Sequence, residues 1–306
     1  MDKNSDSTDC RLKLVKTKKI HEHHINCIAI FPSGNLISVS SDKSIKIYSP
    51  EIDILQTIPN AHNDWIYFVS VQDDTNFVTC GDDKIIKTWY KAKKDFELNT
   101  KIENAHISTI YKVIYYLKDK LISCSKDSTI KIWQEYKYNF YQNLTTIKAG
   151  YDEINSLLLM EDKNILITGG PQGTKIWNLI NFSTIANLDE TYCGSWNVLC
   201  RIDEDKFIVN NKTDNSLIII SIKENEAPKV IDHSFDSWGI NFIKNKGLLL
   251  VGGDSKDIII YRNDDYEIFQ IIQDAHENSI LGFVQLNNGK ILSYGYDNVI
   301  KVWSFD

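Results

Sequence analysis

Arginine is nearly absent. It occurs only at Arg11, Arg201 and Arg262 in 306 residues, and the net charge is −7. Proteins that grip nucleic acid need a basic stripe to displace counterions, and readers of phosphate lean on the forked guanidinium. Both roles are disfavoured, and no direct nucleic-acid contact is expected. Long apolar runs are missing too: none approaches the ~20 residues that span a bilayer. Residues 1–9 are polar and lack the apolar core of a secretory signal. The expectation is a soluble chain without membrane attachment, cytoplasmic or nuclear. The six cysteines (Cys10, Cys27, Cys80, Cys124, Cys193 and Cys200) form no C-x-x-C pair, and Cys80 and Cys124 fall inside apolar runs. They read as reduced, buried thiols. Helix-period patterns of about ten residues or more are absent as well.

What the chain has is self-similarity. Five segments end in a strand of one design: SDKSIKIY to Tyr48, DDKIIKTW to Trp89, KDSTIKIW to Trp133, PQGTKIW to Trp177 and YDNVIKVW to Trp303. Counting back 27 residues from each terminal aromatic gives His21, His62, His106, Gly150 and His276. Two further units are degenerate. Residues 189–223 keep apolar runs at 206–209 and 217–220 around a turn at Thr213-Asp214-Asn215, and residues 230–264 keep His233, Gly252-Gly253-Asp254 and a run at 258–261. With Ile25, Ile66, Ile110, Ile154, Ser195, Ser237 and Ile280 as equivalent entries, the units recur at steps of 41 to 44 residues. Each reads as four short strands between turn residues, for example an alternating segment at 110–115, a strand at 121–125 and another at 129–133. The expected organisation is a flexible segment over 1–10, then repeats at about 20–58, 59–102, 103–147, 148–188, 189–229, 230–272 and 273–306.

A His, a strand Ser/Thr, a turn Asp and a Trp recurring at this spacing resemble the WD40-repeat family over essentially the whole chain beyond the first ten or so residues. The resemblance implies an all-β, seven-bladed β-propeller with a hydrogen-bonded tetrad in each intact blade. Matched by position, these are His21, Ser38, Asp42 and Tyr48; His62, Thr79, Asp83 and Trp89; His106, Ser123, Asp127 and Trp133; and His276, Ser293, Asp297 and Trp303. Tyr48 replaces the usual tryptophan. Gly150 and Pro171 stand at the histidine and aspartate positions of the fourth repeat, so no tetrad is expected there. Because the repeat starts at its fourth strand, residues 11–17 (RLKLVKT) are expected to complete the last sheet and close the ring, with Leu12 and Leu14 alternating with Lys13 as in a half-buried edge strand.

Repetition also weighs against catalysis. A hydrolytic triad needs one exposed hydroxyl beside an oxyanion site, whereas His, Ser and Asp recur here at structural spacing. The tract His21-Glu22-His23-His24 reads as one core histidine and a solvated loop, short of the closed ligand set of structural zinc. The run Gly169-Gly170-Pro171-Gln172-Gly173-Thr174 reads as a turn: it lacks the Lys-Ser/Thr ending of a phosphate loop and precedes a strand. No cofactor, metal or enzymatic activity is expected.

The resemblance implies instead that the residues just inside each entry (Asn26, Tyr67, Tyr111, Asn155, Trp196, Trp238 and Leu281) face the channel mouth on the tetrad-bearing top side. Trp65, Tyr296, Asp64, Asp82, Asp152, Glu153, Asp236 and Lys126 would stand around them. The partner-binding residues singled out are Trp65, Tyr67, Asp82, Tyr111, Lys126, Trp196, Trp238 and Tyr296. Aromatic anchors beside carboxylates suit proteins or peptides bearing Lys or Arg. The expected role is a scaffold or adaptor, itself monomeric, within a larger complex. The alternative is a dedicated recognition subunit: a ubiquitin-binding or histone-tail-type reader, or an adaptor in a ligase or maturation complex.

Overall fold

The computed structural model describes residues 11–136, 140–150, 152–188, 190–192, 199–211, 213–223 and 225–305. These form seven four-stranded antiparallel sheets, the blades of a β-propeller. The strands of a blade are named a to d from the channel outward. Blade 1, for example, comprises Ile25–Ile30, Leu36–Ser40, Ile45–Tyr48 and Ile54–Ile58.

The seven hydrophobic clusters correspond to the seven junctions between successive blades. Ile37, Val39, Ile45 and Ile47 of blade 1 pack on Ile66, Val69, Phe77 and Trp89 of blade 2. The junction of blades 7 and 1 is filled by Leu292, Tyr294, Ile300 and Val302 against Ile25, Ile28, Leu36 and Tyr48. Period-two alternation explains how one strand serves two cores: Leu36 faces the preceding blade and Ile37 the following one. Strand b is therefore covered on both faces, and Leu36–Ser40 and Leu248–Gly253 are buried throughout. Near-continuous apolar runs follow from that placement.

The ring is closed by its first strand. Leu12–Lys19 pairs antiparallel with Val299–Phe305 and supplies strand d of blade 7. Leu12 is 2% exposed and joins the core between blades 6 and 7, but Leu14 is 49% exposed. The expected half-buried alternation therefore fails beyond Leu12. A bulge at Val15 breaks the register, and the outer face of this edge strand meets solvent. An amide clamp holds the strand to blade 6: the Leu12 N–H donates to Gln270 Oε1 at 2.8 Å and Gln270 Nε2 donates to the Leu12 carbonyl at 2.9 Å. Gln56 grips Phe96 of blade 2 in the same way, with both bonds at 2.8 Å. The closing strand is thus fastened like an ordinary strand d.

The tight turn between strands b and c recurs with one geometry. The residue after the tetrad aspartate is left-handed at Lys43, Lys84, Ser128 and Asn298. The aspartate accepts the N–H two residues on, from Ser44, Ile85, Thr129 and Val299 respectively. Gly81 precedes one such turn because a Cβ there would stand 1.9 Å from the Trp65 carbonyl oxygen.

Candidate functional site

The tetrads are continuous hydrogen-bonded chains. In blade 2, Trp89 Nε1 donates to Thr79 Oγ1 at 2.9 Å, Thr79 lies 2.8 Å from His62 Nε2, and His62 Nδ1 lies 2.9 Å from Asp83 Oδ2. A carboxylate can only accept, so Nδ1 carries the proton and Nε2 accepts from the threonine hydroxyl. Ser123 and Asp127 bracket His106 in the same way, with Trp133 donating to Ser123, and Ser293 and Asp297 bracket His276, with Trp303 donating to Ser293. Blade 1 uses His21, Ser38 and Asp42, and its Tyr48 hydroxyl reaches Ser38 Oγ at 2.8 Å, so tyrosine completes the chain. Tyr48→Phe is expected to cost about 1 kcal/mol, the worth of one buried hydrogen bond, by equilibrium denaturation.

Each carboxylate also accepts the N–H of the residue after its histidine: Glu22, Asn63, Ile107 or Glu277. Burial acts to raise the pKa of Asp83, but hydrogen bonds from His62 and from backbone N–H groups outweigh it and hold the carboxyl below its usual range. Asp42, Asp127 and Asp297 are held low by the same balance. Burial lowers His62 and His106 despite their carboxylate partners.

The degenerate blades keep fragments of this network. Blade 4 retains the Trp177–Thr168 bond at 2.8 Å, and Gln172 and Asp152 bond across the top where the histidine and aspartate are missing. In blade 6, His233 Nδ1 bonds directly to the Tyr261 hydroxyl at 2.8 Å.

A fifth repeated element escaped the sequence reading. The lysine two residues before the strand-c aromatic donates to the backbone carbonyl just before the histidine position: Lys46 to Ile20, Lys87 to Ala61, Lys131 to Ala105 and Lys175 to Ala149. Its signal was the same lysine recurring in IKIY, IKTW, IKIW and TKIW.

The channel mouth is built by β-bulges. Strand a carries an extra residue at Asn26, Tyr67, Tyr111, Trp238 and Leu281. A bulge can place consecutive side chains on one face. Accordingly Asn26 and Cys27, Tyr67 and Phe68, and Tyr111 and Lys112 line one cavity of about 180 Å³ in pairs.

Seven rings form an arc across five blades, and four of them (Tyr67, Tyr111, Trp238 and Tyr296) line that cavity. Tyr111 meets Tyr67 at 5.7 Å, Tyr67 meets Trp65 at 6.4 Å, and Trp65 meets His23 at 5.9 Å between ring centres. His23 and His24 lie 4.3 Å apart, His24 stacks on Tyr296 at 4.2 Å, and Tyr296 meets Trp238 at 5.4 Å. The two histidines read from sequence as solvated loop residues thus join the halves of the arc, and His24 is half-buried. Burial and then the neighbouring His23 lower the His24 pKa, favouring a neutral ring.

Asp82 accepts from Tyr67 and Thr109, and Glu153 accepts from Tyr111. Lys126 is exposed on the b–c turn of blade 3. Trp196 lies outside the described residues. Among the described residues no cluster of His, Cys, Asp and Glu is suited to hold a metal.

The sheet order, the junction cores and the repeated networks define a closed seven-bladed propeller with one aromatic mouth. The family model "WD domain, G-beta repeat" matches residues 12–49, 53–90 and 100–134, so WD40 repeats are found in three positions of the ring. The first match begins on the closing strand, so the sequence repeat is offset from the blade by one strand. The fold is similar to the crystal structure of the WD40 beta propeller domain of Doa1, with a TM-score of 0.78 and 17% identity over 96% of this chain and 97% of that one. No curated protein matches by sequence.

Proposed function

We propose that this protein is a non-enzymatic scaffold or adaptor that receives segments of other proteins at the aromatic mouth. WD40 propellers are in general non-catalytic and bind proteins or peptides. The observation that supports this reading here is the seven-ring arc, four of whose rings line an open cavity. Aromatic side chains beside charges are the composition of binding hot spots. Asp64 is exposed at the rim, and Asp82, Glu153 and Asp236 are half-buried beside it. Lys- or Arg-bearing segments suit that rim, through cation–π contact and ion pairing together.

The combined variant Trp65→Ala, Tyr67→Ala and Trp238→Ala tests the reading by affinity purification from cells with mass spectrometry. Recovery of the partners is expected to fall by roughly 100-fold, as when a hot spot worth about 3 kcal/mol is lost. The circular dichroism spectrum should be retained. Undiminished recovery by a folded variant would exclude the mouth as the binding face.

A further inference from the structure

Below the aromatic arc the channel holds a lysine that no carboxylate answers. Lys112 Nζ donates to Ser156 Oγ at 3.1 Å and lies 5.5 Å from the centre of the Phe68 ring. An ammonium has three donors, and this is the one hydrogen bond Nζ makes among the described residues. Burial lowers its pKa, opposed only by the thiols of Cys124 and Cys27, so a bound carboxylate would restore the charged form. One blade on, Asn155 lines the same cavity, is 7% exposed, and has no partner for either Nδ2 or Oδ1. Buried polar groups are ordinarily paired, so a lysine and an asparagine both short of partners at one cavity point to a ligand.

The donors limit its chemistry. One ammonium and one amide N–H match the two oxygens and single charge of a carboxylate; a phosphate would bring more charge and oxygens than they can serve. The cavity, at about 180 Å³, exceeds the ~150 Å³ that admits benzene in an engineered apolar site. The rings of Phe68, Tyr67 and Tyr111 line it and suit a flat apolar body.

We propose that the central channel binds a carboxylate, with Lys112 as its counter-ion and Asn155 as its amide donor. The carboxylate could belong to a free small molecule or to a partner segment entering through the mouth. Only the second source rests on the function proposed above.

Calorimetric titration of the intact protein with benzoate and with neutral benzamide tests the site. Benzoate should bind, and benzamide roughly tenfold more weakly or worse, the difference expected for a hydrogen bond to a charged group. Lys112→Met keeps most of the unbranched side chain without its amine and should abolish benzoate binding, and Asn155→Ala should weaken it several-fold. Thermal melts check that both variants fold. A second pair of probes, Gly-Gly-Phe with a free and with an amidated C-terminus, separates the sources. Lys112-dependent binding of the free form assigns the site to a partner's carboxylate, and binding of benzoate alone assigns it to a free small molecule. Equal binding of benzoate and benzamide, benzoate binding that survives Lys112→Met, or no binding of any carboxylate probe would overturn the proposal. Loss or retention of partners in the Trp65, Tyr67 and Trp238 variant leaves the benzoate result standing, so the two readings fail separately.

Discussion

Deletion of residues 1–19 is expected to lower the melting temperature by about 10 °C or more and to broaden the transition. The deletion removes strand d of blade 7 with its seven register pairs, from Leu12 with Phe305 to Lys19 with Val299. It also empties the Leu12 position in the core shared with Ile243, Leu250, Phe283 and Trp303. Losing a buried leucine costs about 2–5 kcal/mol, and each backbone bond adds roughly 1 kcal/mol net. A total above ~5 kcal/mol corresponds to about 10 °C in a chain of this size, where 1 kcal/mol shifts the midpoint by about 2 °C. The bared edge of Val299–Phe305 should also promote self-association, visible by light scattering as a concentration dependence. A milder probe is Gln270→Ala, which removes both bonds of the clamp on Leu12. It should cost about 1–2 kcal/mol. An unchanged melt after the deletion would show that closure lies elsewhere.

The second large effect belongs to the tetrads. Asp83→Ala strips acceptors from His62 Nδ1 and from the N–H groups of Asn63 and Ile85 in one step. Breaking a buried charged network from one side typically costs about 3–5 kcal/mol. Urea denaturation should show that loss, with Asp83→Asn intermediate because its carbonyl still accepts. A cost below about 1 kcal/mol would mean that the turn is held by other contacts.

The pH dependence follows from the same groups. His62, His106 and His233 have folded-state pKa values below the unfolded value, His233 at about 4. The unfolded chain therefore takes up protons first, and stability declines as pH falls below ~6.5. The depressed aspartates hold full stability above their unfolded pKa and lose it as pH falls below ~4. Both sets act in one direction, so stability should fall in two stages on acidification. In Asp83→Ala the contribution of that residue to the lower stage disappears. Denaturant midpoints measured from pH 7 to pH 3 check the order, and a midpoint rising on acidification would contradict it.

The tetrads were legible because one hydrogen-bonded chain demands one spacing. A histidine placed 17 residues before its hydroxyl and 21 before its aspartate recurs in blades 1, 2, 3 and 7. The closing strand was legible for a related reason: a repeat that starts at its fourth strand needs that strand from the other end. Substitutions obscured the rest. Tyr48 does the work of a tryptophan through a differently placed donor, and His233 reaches Tyr261 without an intervening hydroxyl. The mouth was harder to read. Alternation assigns Tyr111 and Lys112 to opposite faces, and no residue type announced the bulge that brings both to the channel. His23 is exposed as read, but half-buried His24 looked solvated because its partner Tyr296 lies far away in sequence.

The placement of every core at a junction has a topological consequence. No blade owns its interior, because each core needs side chains from two neighbouring blades. Leu12 and Phe305 already lie opposite each other in one ladder. A short linker joining those ends, with a new opening cut at another exposed loop, should yield a permutant with the native contacts, provided the cut leaves one strand to overlap from the other side.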